Sequence, residues 1–342
     1  MVWNSMQSAR LPPRIRAFIR SLAYPQPPSH IRKRFRAIDQ GALERVAISL
    51  RENYFAQAIN CFGDTVEAYL ASTEGKKDFE DHLCNRLYAD RETIVPWLDQ
   101  ARSLQGARVL EIGCGTGSAT VALAEQGALV TAVDVEEPSV EVARERCKAF
   151  GLDVAFSVLN AAQAGARFSE EKFDFIIFYA SLEHMTHEER LAAMKGTWDM
   201  LPKGSFWCVV EAPNRLWYRD DHTSLLPFFL WLPNDLAFEY SRFSPRKAVL
   251  GRYREHSREA DLDFLRKGRG VSFHEFDLAI RPSEDLRVVS SLLGFLRGGS
   301  ILRRMKARLD GDTRFESLLA QVGPRIHPGF YNRRLDLIIQ KD

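Results

Sequence analysis

Two acidic residues and three glycines lie close together in the stretch VLEIGCGTGSATVALAEQGALVTAVD, residues 109–134. Glu111 lies near the end of one hydrophobic run, Asp134 ends the next, and Gly113, Gly115 and Gly117 stand between them. A carboxylate about 20 residues beyond a glycine turn can accept both hydroxyls of a ribose. A turn that binds phosphate gains nothing from a negative charge two residues before its first glycine. The arrangement therefore predicts a ligand that has a ribose and no phosphate.

A dinucleotide is the obvious alternative ligand for such a turn. The dinucleotide fingerprint has glycine at its first, third and sixth positions. Here the glycines occupy the first, third and fifth positions, and Ser118 stands at the sixth. NAD(P) is therefore a minor alternative, as is a purely structural turn that binds nothing.

Hydrophobic runs on either side of the turn must position these residues. Residues 108–112 and 129–133 are short, apolar and rich in β-branched side chains, which is typical of buried parallel strands. Residues 118–125 are predicted to form a helix that Gly127 ends. A strand, turn, helix and strand in this order predict the opening of a doubly wound α/β sheet.

The motifs of this unit and of the segment after it resemble those of a known family. LEIGCGTG, VTAVD and FDFIIFYASLEHM, and less closely the closing RLDLIIQKD, are similar to motifs of the class I S-adenosylmethionine-dependent methyltransferases. The resemblance covers residues 104–214. It implies a mostly parallel, seven-stranded sheet with an antiparallel last strand, and S-adenosyl-L-methionine as the cofactor.

The resemblance also implies which residues hold the cofactor. Asp134 would hold the ribose and Val135 would pack against the adenine. Asn160 and Ala161 would meet the adenine amine where many members carry Asp, and an Asn can still accept that hydrogen bond. The methionine end would be surrounded by Glu111, Gly113, Cys114, Gly115, Thr116 and Gly117, and the loop over the sulfonium would begin at Phe178 and Tyr179.

Methyl transfer to a hydroxyl requires an acceptor in line with the methyl group and a base for the proton. His222 is the predicted base, because the neighbouring Asp221 can fix the tautomer of its imidazole. Glu183 and His184 are the alternative pair, for which an architectural or cofactor-proximal role is favoured. Glu211 lies at the same rim of the predicted sheet.

The residues DDH, 220–222, are also possible ligands of a divalent ion. Adjacent residues of one loop seldom all ligate the same ion, and no second acidic group is paired with them, so no metal is predicted. The apolar run LLPFFLWLP, residues 225–233, is predicted mostly as core, with a lid or the wall of an acceptor tunnel as the alternative.

Four zones are predicted along the chain. Residues 1–104 form a helical extension, 105–212 the Rossmann-like core, 213–330 a substrate-binding insertion, and 331–342 the final strand of the core sheet. Within the core, strands are predicted at residues 108–112, 129–134, 153–158, 173–178 and 205–210, and a long helix at residues 186–200.

Composition indicates an intracellular protein. The chain has 342 residues and a net charge of +2, which gives no sign of a nucleic-acid partner. Its five cysteines are scattered and form no Cys-x-x-Cys pair, which argues against disulfides and zinc. The N-terminus lacks the features of a signal peptide, and residues 225–233 are too few to span a bilayer. A cytoplasmic location is therefore predicted.

Residues 10–36 form a basic arm with eight Lys or Arg and no acid. Such an arm can contact an anionic membrane surface or RNA. The chain lacks the tetrapeptides Asn-Pro-Pro-Tyr and Asp-Pro-Pro-Tyr and a Pro-Cys or Thr-Cys nucleophile, so nucleic acid is disfavoured. A weak membrane-surface contact, a partner contact or the rim of a site for an anionic substrate is preferred. The sequence makes no prediction of the oligomeric state.

The predicted function is therefore O-methylation of a small molecule or a glycan precursor. RNA methylation is the alternative within enzymes, supported only by the basic arm. A scaffold that binds S-adenosylmethionine without turnover is the alternative outside enzymes, because binding does not prove catalysis.

Overall fold

A seven-stranded sheet forms the centre of the computed structural model, which describes residues 27–58, 65–246, 249, 252–298 and 311–342. The strand order is β3-β2-β1-β4-β5-β7-β6. The strands are β1 Arg108–Ile112, β2 Leu129–Asp134, β3 Ala155–Val158, β4 Phe175–Tyr179, β5 Phe206–Pro213, β6 Val288–Ser291 and β7 Arg334–Gln340. Strand β7 is antiparallel to both of its neighbours, and the other pairs are parallel. The predicted fold class is confirmed.

The agreement between predicted and observed strands depends on how buried each strand is. Strands β1 and β2 have the predicted bounds, since both are apolar runs that end at a turn. Strand β6 was not predicted. It has only four residues, none of them fully buried, and it lies at the edge of the sheet within the segment expected to be an insertion.

Helices precede the sheet and cover both of its faces. The N-terminal helices are α1 Ser29–Arg32, α2 Gln40–Ser49, α3 Ala56–Ala58, α4 Val66–Ala71, α5 Thr73–Glu80, α6 Arg86–Ala89 and α7 Val95–Ala101, with π turns at Leu50–Phe55, Asp81–Asn85 and Asp90–Ile94. The later helices are α8 Ser118–Ala124, α9 Glu137–Ala149, α10 Ala164–Arg167, α11 His187–Met200, α12 Asn234–Tyr240, α13 Arg258–Arg266, α14 Phe273–Ala279, α15 Leu292–Gly298 and α16 Gly311–Val322.

The core has two layers, one on each face of the sheet. Successive side chains of a strand point to opposite faces, so Val109 and Leu110 of β1 belong to different layers. Val109 packs in the layer that contains Trp97 of α7, and Leu110 packs in the layer that contains Trp198 of α11. The N-terminal helices thus close one face of the sheet and α11 closes the other.

Buried polar contacts attach the N-terminal helices to the glycine turn. Arg91 forms an ion pair of 2.6 Å with Glu125, and both side chains are almost completely buried. The Arg146 guanidinium of α9 donates hydrogen bonds to the carbonyls of His82 at 2.6 Å, Leu83 at 2.9 Å and Thr116 at 2.7 Å. One side chain therefore joins the π turn Asp81–Asn85 to the glycine turn.

The segment between β5 and β6 has a small core of its own. Phe229, Phe238, Tyr253 and Phe264 are buried together in it. The apolar run 225–233 is split by this packing: Phe229 is fully buried, whereas Trp231 is 50% exposed. Among the described residues, no helix is both long and apolar enough to cross a membrane.

Most of the basic arm, residues 10–26, lies outside the described residues. Two arginines from its described end make contacts within the molecule. Arg34 donates a hydrogen bond of 3.2 Å to the Gln126 carbonyl, and Arg36 donates one of 3.0 Å to the Phe150 carbonyl. These two side chains help to hold the N-terminal segment on the core.

Candidate active site

The three glycines of the turn each have a different structural requirement. Gly117 has φ +82°, and a Cβ there would lie 2.8 Å from Ala143 of α9. Gly113 has φ +85°, and a Cβ there would lie 2.5 Å from the Cβ of Ser181. Gly115 has φ +49° and open space on its Cβ side. Two glycines therefore permit close packing, and the third leaves the turn open to a ligand.

Asp134 ends β2 beside the open glycine. Its Oδ2 accepts a hydrogen bond of 2.8 Å from the Gly115 N–H, and its Oδ1 accepts one of 3.0 Å from the Glu136 N–H. Burial raises the pKa of the Asp134 carboxyl, and these backbone donors oppose the rise. Each carboxylate oxygen accepts more than one hydrogen bond, so both can still accept from ribose hydroxyls.

Glu111 of β1 is a buried acid just before the glycine turn. It is 0% exposed, and neither carboxylate oxygen has a hydrogen-bond partner within the described chain. The pKa of Glu111 is raised to about 7, mainly by burial and also by the Asp134 charge. The nearby Thr120 side chain opposes this rise. A buried carboxyl group in this state favours a positively charged ligand.

The remaining predicted cofactor residues have varied surroundings. The side chain of Val135 is 51% exposed and free to pack against a ring. The Thr116 hydroxyl lies 3.2 Å from His82 Nδ1. The amide of Asn160 accepts from the Ala162 N–H and donates to Glu189, so it also caps the turn in which Ala161 is buried. Cys114 is buried, which raises the pKa of its thiol.

Phe178 and Tyr179 end β4 with opposite orientations. Phe178 is fully buried and its ring centroid lies 4.9 Å from that of Trp207, so its side chain is part of the core. The Tyr179 hydroxyl donates a hydrogen bond to the carboxylate of Asp90, in the N-terminal segment. Only the backbone of Phe178 is left to face a cofactor.

Glu183, His184 and His222 form a compact group next to the glycine turn, which we call the Glu-His-His group. Their donor atoms all lie within 4.8 Å of one another. The Nε2 atoms of His184 and His222 lie 3.8 and 3.9 Å from the same oxygen, Glu183 Oε1. Ser181, two residues before Glu183, contacts Gly113. The group therefore lies at the edge of the predicted cofactor site.

Hydrogen bonds determine the tautomers of both imidazoles. His184 Nδ1 lies 2.8 Å from the Arg266 carbonyl, which requires an N–H at Nδ1. Thr223 donates its hydroxyl to the Gly268 carbonyl at 2.7 Å and accepts from His222 Nδ1 at 3.1 Å. Burial and the nearby His184 and Arg246 lower the pKa of His222 to about 3. In the neutral form each ring therefore presents the lone pair of Nε2 to Glu183.

Contacts between the loop after β4 and the insertion hold Glu183 in place. The Arg269 N–H donates a hydrogen bond of 2.9 Å to the Glu183 carbonyl. The buried Arg190 guanidinium donates to the Leu182 carbonyl at 2.8 Å and pairs with Glu275 at 2.9 Å. Because Glu275 belongs to α14, the same arginine links α11 and the insertion.

The predicted interaction of Asp221 with His222 is replaced by other contacts. The Asp221 carboxylate forms an ion pair of 2.7 Å with Arg333, and Thr223 is the partner of His222 Nδ1. Asp220 is buried and accepts hydrogen bonds from the N–H groups of His222, Thr223 and Ser224. The two acids therefore shape the loop and leave the His222 ring facing Glu183.

Two non-glycine residues with positive φ lie where β4 and β5 approach the group. Ala180 has φ +41° and Glu211 has φ +62°. The Glu211 N–H donates a hydrogen bond of 2.6 Å to Asp336, whose burial raises its pKa to about 7. Strained backbone of this kind concentrates at functional sites. Asp336 was not predicted, because only the pairing of β7 with β5 brings it here.

The glycine turn, the two acids and the adjacent group coincide with a known sequence family. Residues 109–204 match the family described as a methyltransferase domain. The core of this chain is a class I S-adenosylmethionine-dependent methyltransferase domain. The predicted family is thereby confirmed. The matched residues of the methyltransferase domain include β1 to β4 and end before β5, so they contain Glu183 and His184 but not His222.

Relatives of this methyltransferase domain include the ubiquinone biosynthesis O-methyltransferases. That of Stutzerimonas stutzeri is 37% identical over 91 residues, which are 27% of this chain and 39% of the relative. That of Pasteurella multocida is 32% identical over 102 residues, 28% of this chain and 42% of the relative. The chain thus spans about two fifths of the length of these curated relatives.

A similar solved structure is the magnesium protoporphyrin IX methyltransferase of Synechocystis PCC 6803 with bound S-adenosylmethionine. It shares 25% sequence identity with this chain, and the match has a TM-score of 0.36. The match covers 52% of this chain and 79% of the solved one.

Proposed function

We propose that this protein transfers the methyl group of S-adenosylmethionine to an oxygen of a small molecule or a glycan precursor. The observation that carries the proposal is the buried, unpartnered Glu111 beside an open Gly115, with Asp134 at the end of the next strand. The relatives named O-methyltransferases support oxygen as the acceptor atom.

The charges around the glycine turn suit this cofactor. S-adenosylmethionine carries a sulfonium and an ammonium group, and both are positive. Burial raises the pKa of Asp90, Glu111 and Asp134, which means that ionising these carboxyls without a cation beside them costs free energy. A cationic ligand offsets that cost. NAD(P) carries negative phosphates and would increase it.

In this proposal, residues 105–212 hold the cofactor and residues 213–330 hold the acceptor beside the Glu-His-His group. The Nε2 atoms of His184 and His222 and the carboxylate of Glu183 can accept a hydrogen bond from the acceptor hydroxyl. His222, with a pKa of about 3, is a weak base. Positioning of the acceptor in line with the sulfonium therefore supplies much of the rate.

The proposed location is cytoplasmic, which the four described cysteines support because all are free thiols. A small-molecule acceptor requires no nucleic-acid surface. A weak contact of the basic arm, residues 10–36, with an anionic membrane is proposed because the arm has eight Lys or Arg and no acid.

Calorimetric titration of the purified protein tests the proposal. We expect binding of S-adenosylmethionine and S-adenosylhomocysteine and no binding of NADH. Transfer of a labelled methyl group is then measured across small hydroxy compounds, glycan precursors and RNA. Binding of NADH alone would overturn the cofactor assignment. Tight cofactor binding with labelled RNA as the product would favour the alternative acceptor.

A further inference from the structure

The Glu-His-His group places three lone-pair donors around one point. Both imidazoles direct Nε2 toward Glu183 Oε1, at 3.8 and 3.9 Å. These separations exceed hydrogen-bond distances. Each ring donates its Nδ1–H to a neighbouring oxygen, so in the neutral ring Nε2 carries the lone pair. At these distances neither Nε2 is hydrogen-bonded to Glu183 Oε1.

Glu183 is the member of the group that most clearly lacks a partner. Its side chain is 0% exposed, and neither carboxylate oxygen has a hydrogen bond within the described residues. Buried carboxylates in proteins are paired, hydrogen-bonded or bound to a metal. A cation at the centre of the group would supply the missing partner of Glu183.

The Nδ1 atoms of His184 and His222 have the hydrogen-bond partners that metal-bound histidines usually have. A histidine that binds a metal usually donates its other N–H to a carbonyl or another fixed acceptor, which orients the ring. His184 Nδ1 donates to the Arg266 carbonyl at 2.8 Å. His222 Nδ1 donates to Thr223, whose hydroxyl is bonded to the Gly268 carbonyl at 2.7 Å.

We propose that Glu183, His184 and His222 bind one divalent first-row transition cation, such as Zn²⁺, Mn²⁺ or Fe²⁺. Two imidazoles with one carboxylate suit these ions, whereas Mg²⁺ and Ca²⁺ prefer sites made of oxygen alone. With metal–ligand distances of about 2.0 to 2.2 Å, tetrahedral ligands lie about 3.3 to 3.6 Å apart, so Glu183 Oε1 would approach each Nε2 by roughly 0.2 to 0.6 Å. This site shares only His222 with the DDH residues, 220–222. The proposal differs from the sequence-based expectation that no metal binds.

The inference deepens the proposed function and rests on it for the position of the acceptor. Three protein ligands leave coordination positions open, and the acceptor hydroxyl oxygen occupies one of them. The bound hydroxyl releases its proton to solvent more readily. A lone pair of the resulting oxyanion then forms the new C–O bond. The C–S bond breaks, and its electron pair goes to sulfur to give S-adenosylhomocysteine.

Two open positions would also suit an acceptor with two neighbouring oxygens, which can chelate the cation. Such an acceptor is held with one oxygen directed at the methyl group.

Titration of the full chain with Co²⁺ tests the site without any turnover. The protein is stripped with a chelator and dialysed, and visible absorption and calorimetry follow the addition of Co²⁺ alone. We expect one Co²⁺ per chain, a ligand-field spectrum, and displacement by Zn²⁺. His184→Gln and His222→Gln should each weaken Co²⁺ binding by at least about 10- to 100-fold, the loss that follows removal of only a ligand's hydrogen-bond partner. His187→Gln is the matched control, because His187 is exposed on the same segment, and it should leave binding unchanged.

Thermal unfolding and S-adenosylmethionine binding are measured on every variant. Loss of Co²⁺ binding in a folded variant that still binds the cofactor supports the site. Absence of stoichiometric Co²⁺ binding to the unsubstituted protein overturns it, as does an equal affinity in the double variant His184→Gln/His222→Gln. If Co²⁺ binds through the histidines but S-adenosylmethionine does not bind, the proposed function fails and the cation site stands.

Discussion

Asp134 and Gly115 are joined by a hydrogen bond of 2.8 Å from the backbone N–H to the carboxylate. The bond ties the end of β2 to the one glycine of the turn that has open space on its Cβ side. It therefore fixes the relative position of two parts of the proposed cofactor site, the ribose acceptor and the turn.

Asp134→Ala should weaken S-adenosylmethionine binding by about 1 to 3 kcal/mol, because ribose hydroxyls lose a charged acceptor. Calorimetry measures the change. Asp153→Ala, an exposed acid in the turn before β3, is the matched control and should bind normally. An unchanged dissociation constant for Asp134→Ala would exclude this residue from the site.

Substitutions of two glycines of the turn should affect protein stability and cofactor affinity differently. Gly117→Ala should lower stability by about 1 to 3 kcal/mol, because its Cβ would lie 2.8 Å from Ala143. Gly115→Ala meets no atom within 4 Å, so it should lose less stability and more cofactor affinity. Thermal unfolding and calorimetry measure both quantities. Equal destabilisation with normal binding in Gly115→Ala would contradict the assignment of its open side to the cofactor.

The raised pKa of Glu111 predicts how stability depends on pH. The folded protein keeps this proton up to a pKa of about 7, whereas the unfolded chain releases it near 4.5. The unfolded chain therefore binds fewer protons in this window, and the stability of the cofactor-free protein should fall as pH rises from about 4.5 to about 7. The contribution of Glu111 is up to about 3 kcal/mol.

Glu111→Gln should flatten that part of the profile in denaturant unfolding at several pH values. Asp336 also has a pKa raised to about 7, so the variant should retain a slope from Asp336. S-adenosylmethionine should stabilise the unsubstituted protein most above pH 7, where Glu111 is ionised. An identical pH profile with and without Glu111 would show that its carboxyl is not buried as described.

The packing of the His222 ring against Gly268 should be as important for turnover as the imidazole itself. His222→Ala should lower turnover by roughly 10²-fold with little effect on cofactor affinity, once an acceptor is known. Gly268→Ala should act similarly, because a Cβ there would lie 2.7 Å from the His222 ring and would displace it. His187→Ala should retain activity. Near-normal rates in both site variants would move the role of the base to His184, Glu211 or water.

The sequence predicted best what depends on neighbours along the chain. The bounds of β1 and β2 follow from apolar runs that end in turns. The start of α11 follows from Thr186 and Glu189, which form a capping box. Strand β6 has no such signal, because edge strands need little hydrophobicity and its four residues are only partly buried.

The sequence predicted the group less well. Glu183, His184 and His222 were all recognised as candidates, since each follows a strand at the same edge of the sheet. Their convergence on one oxygen was not predicted, because it depends on the packing of the insertion against the loop after β4. The predicted partner of His222 was Asp221, but Asp221 pairs with Arg333 and Thr223 contacts His222 Nδ1.

The three hydrogen bonds donated by Arg146 have a consequence for dissecting the protein. A shortened variant that starts at Leu104 would keep every strand and all of the matched methyltransferase residues. It would also delete His82 and Leu83, which accept two of those bonds, and Arg91, the partner of the buried Glu125. The minimal catalytic fragment is therefore not the matched segment, and transplanting residues 109–204 into another scaffold would leave buried charges without their partners.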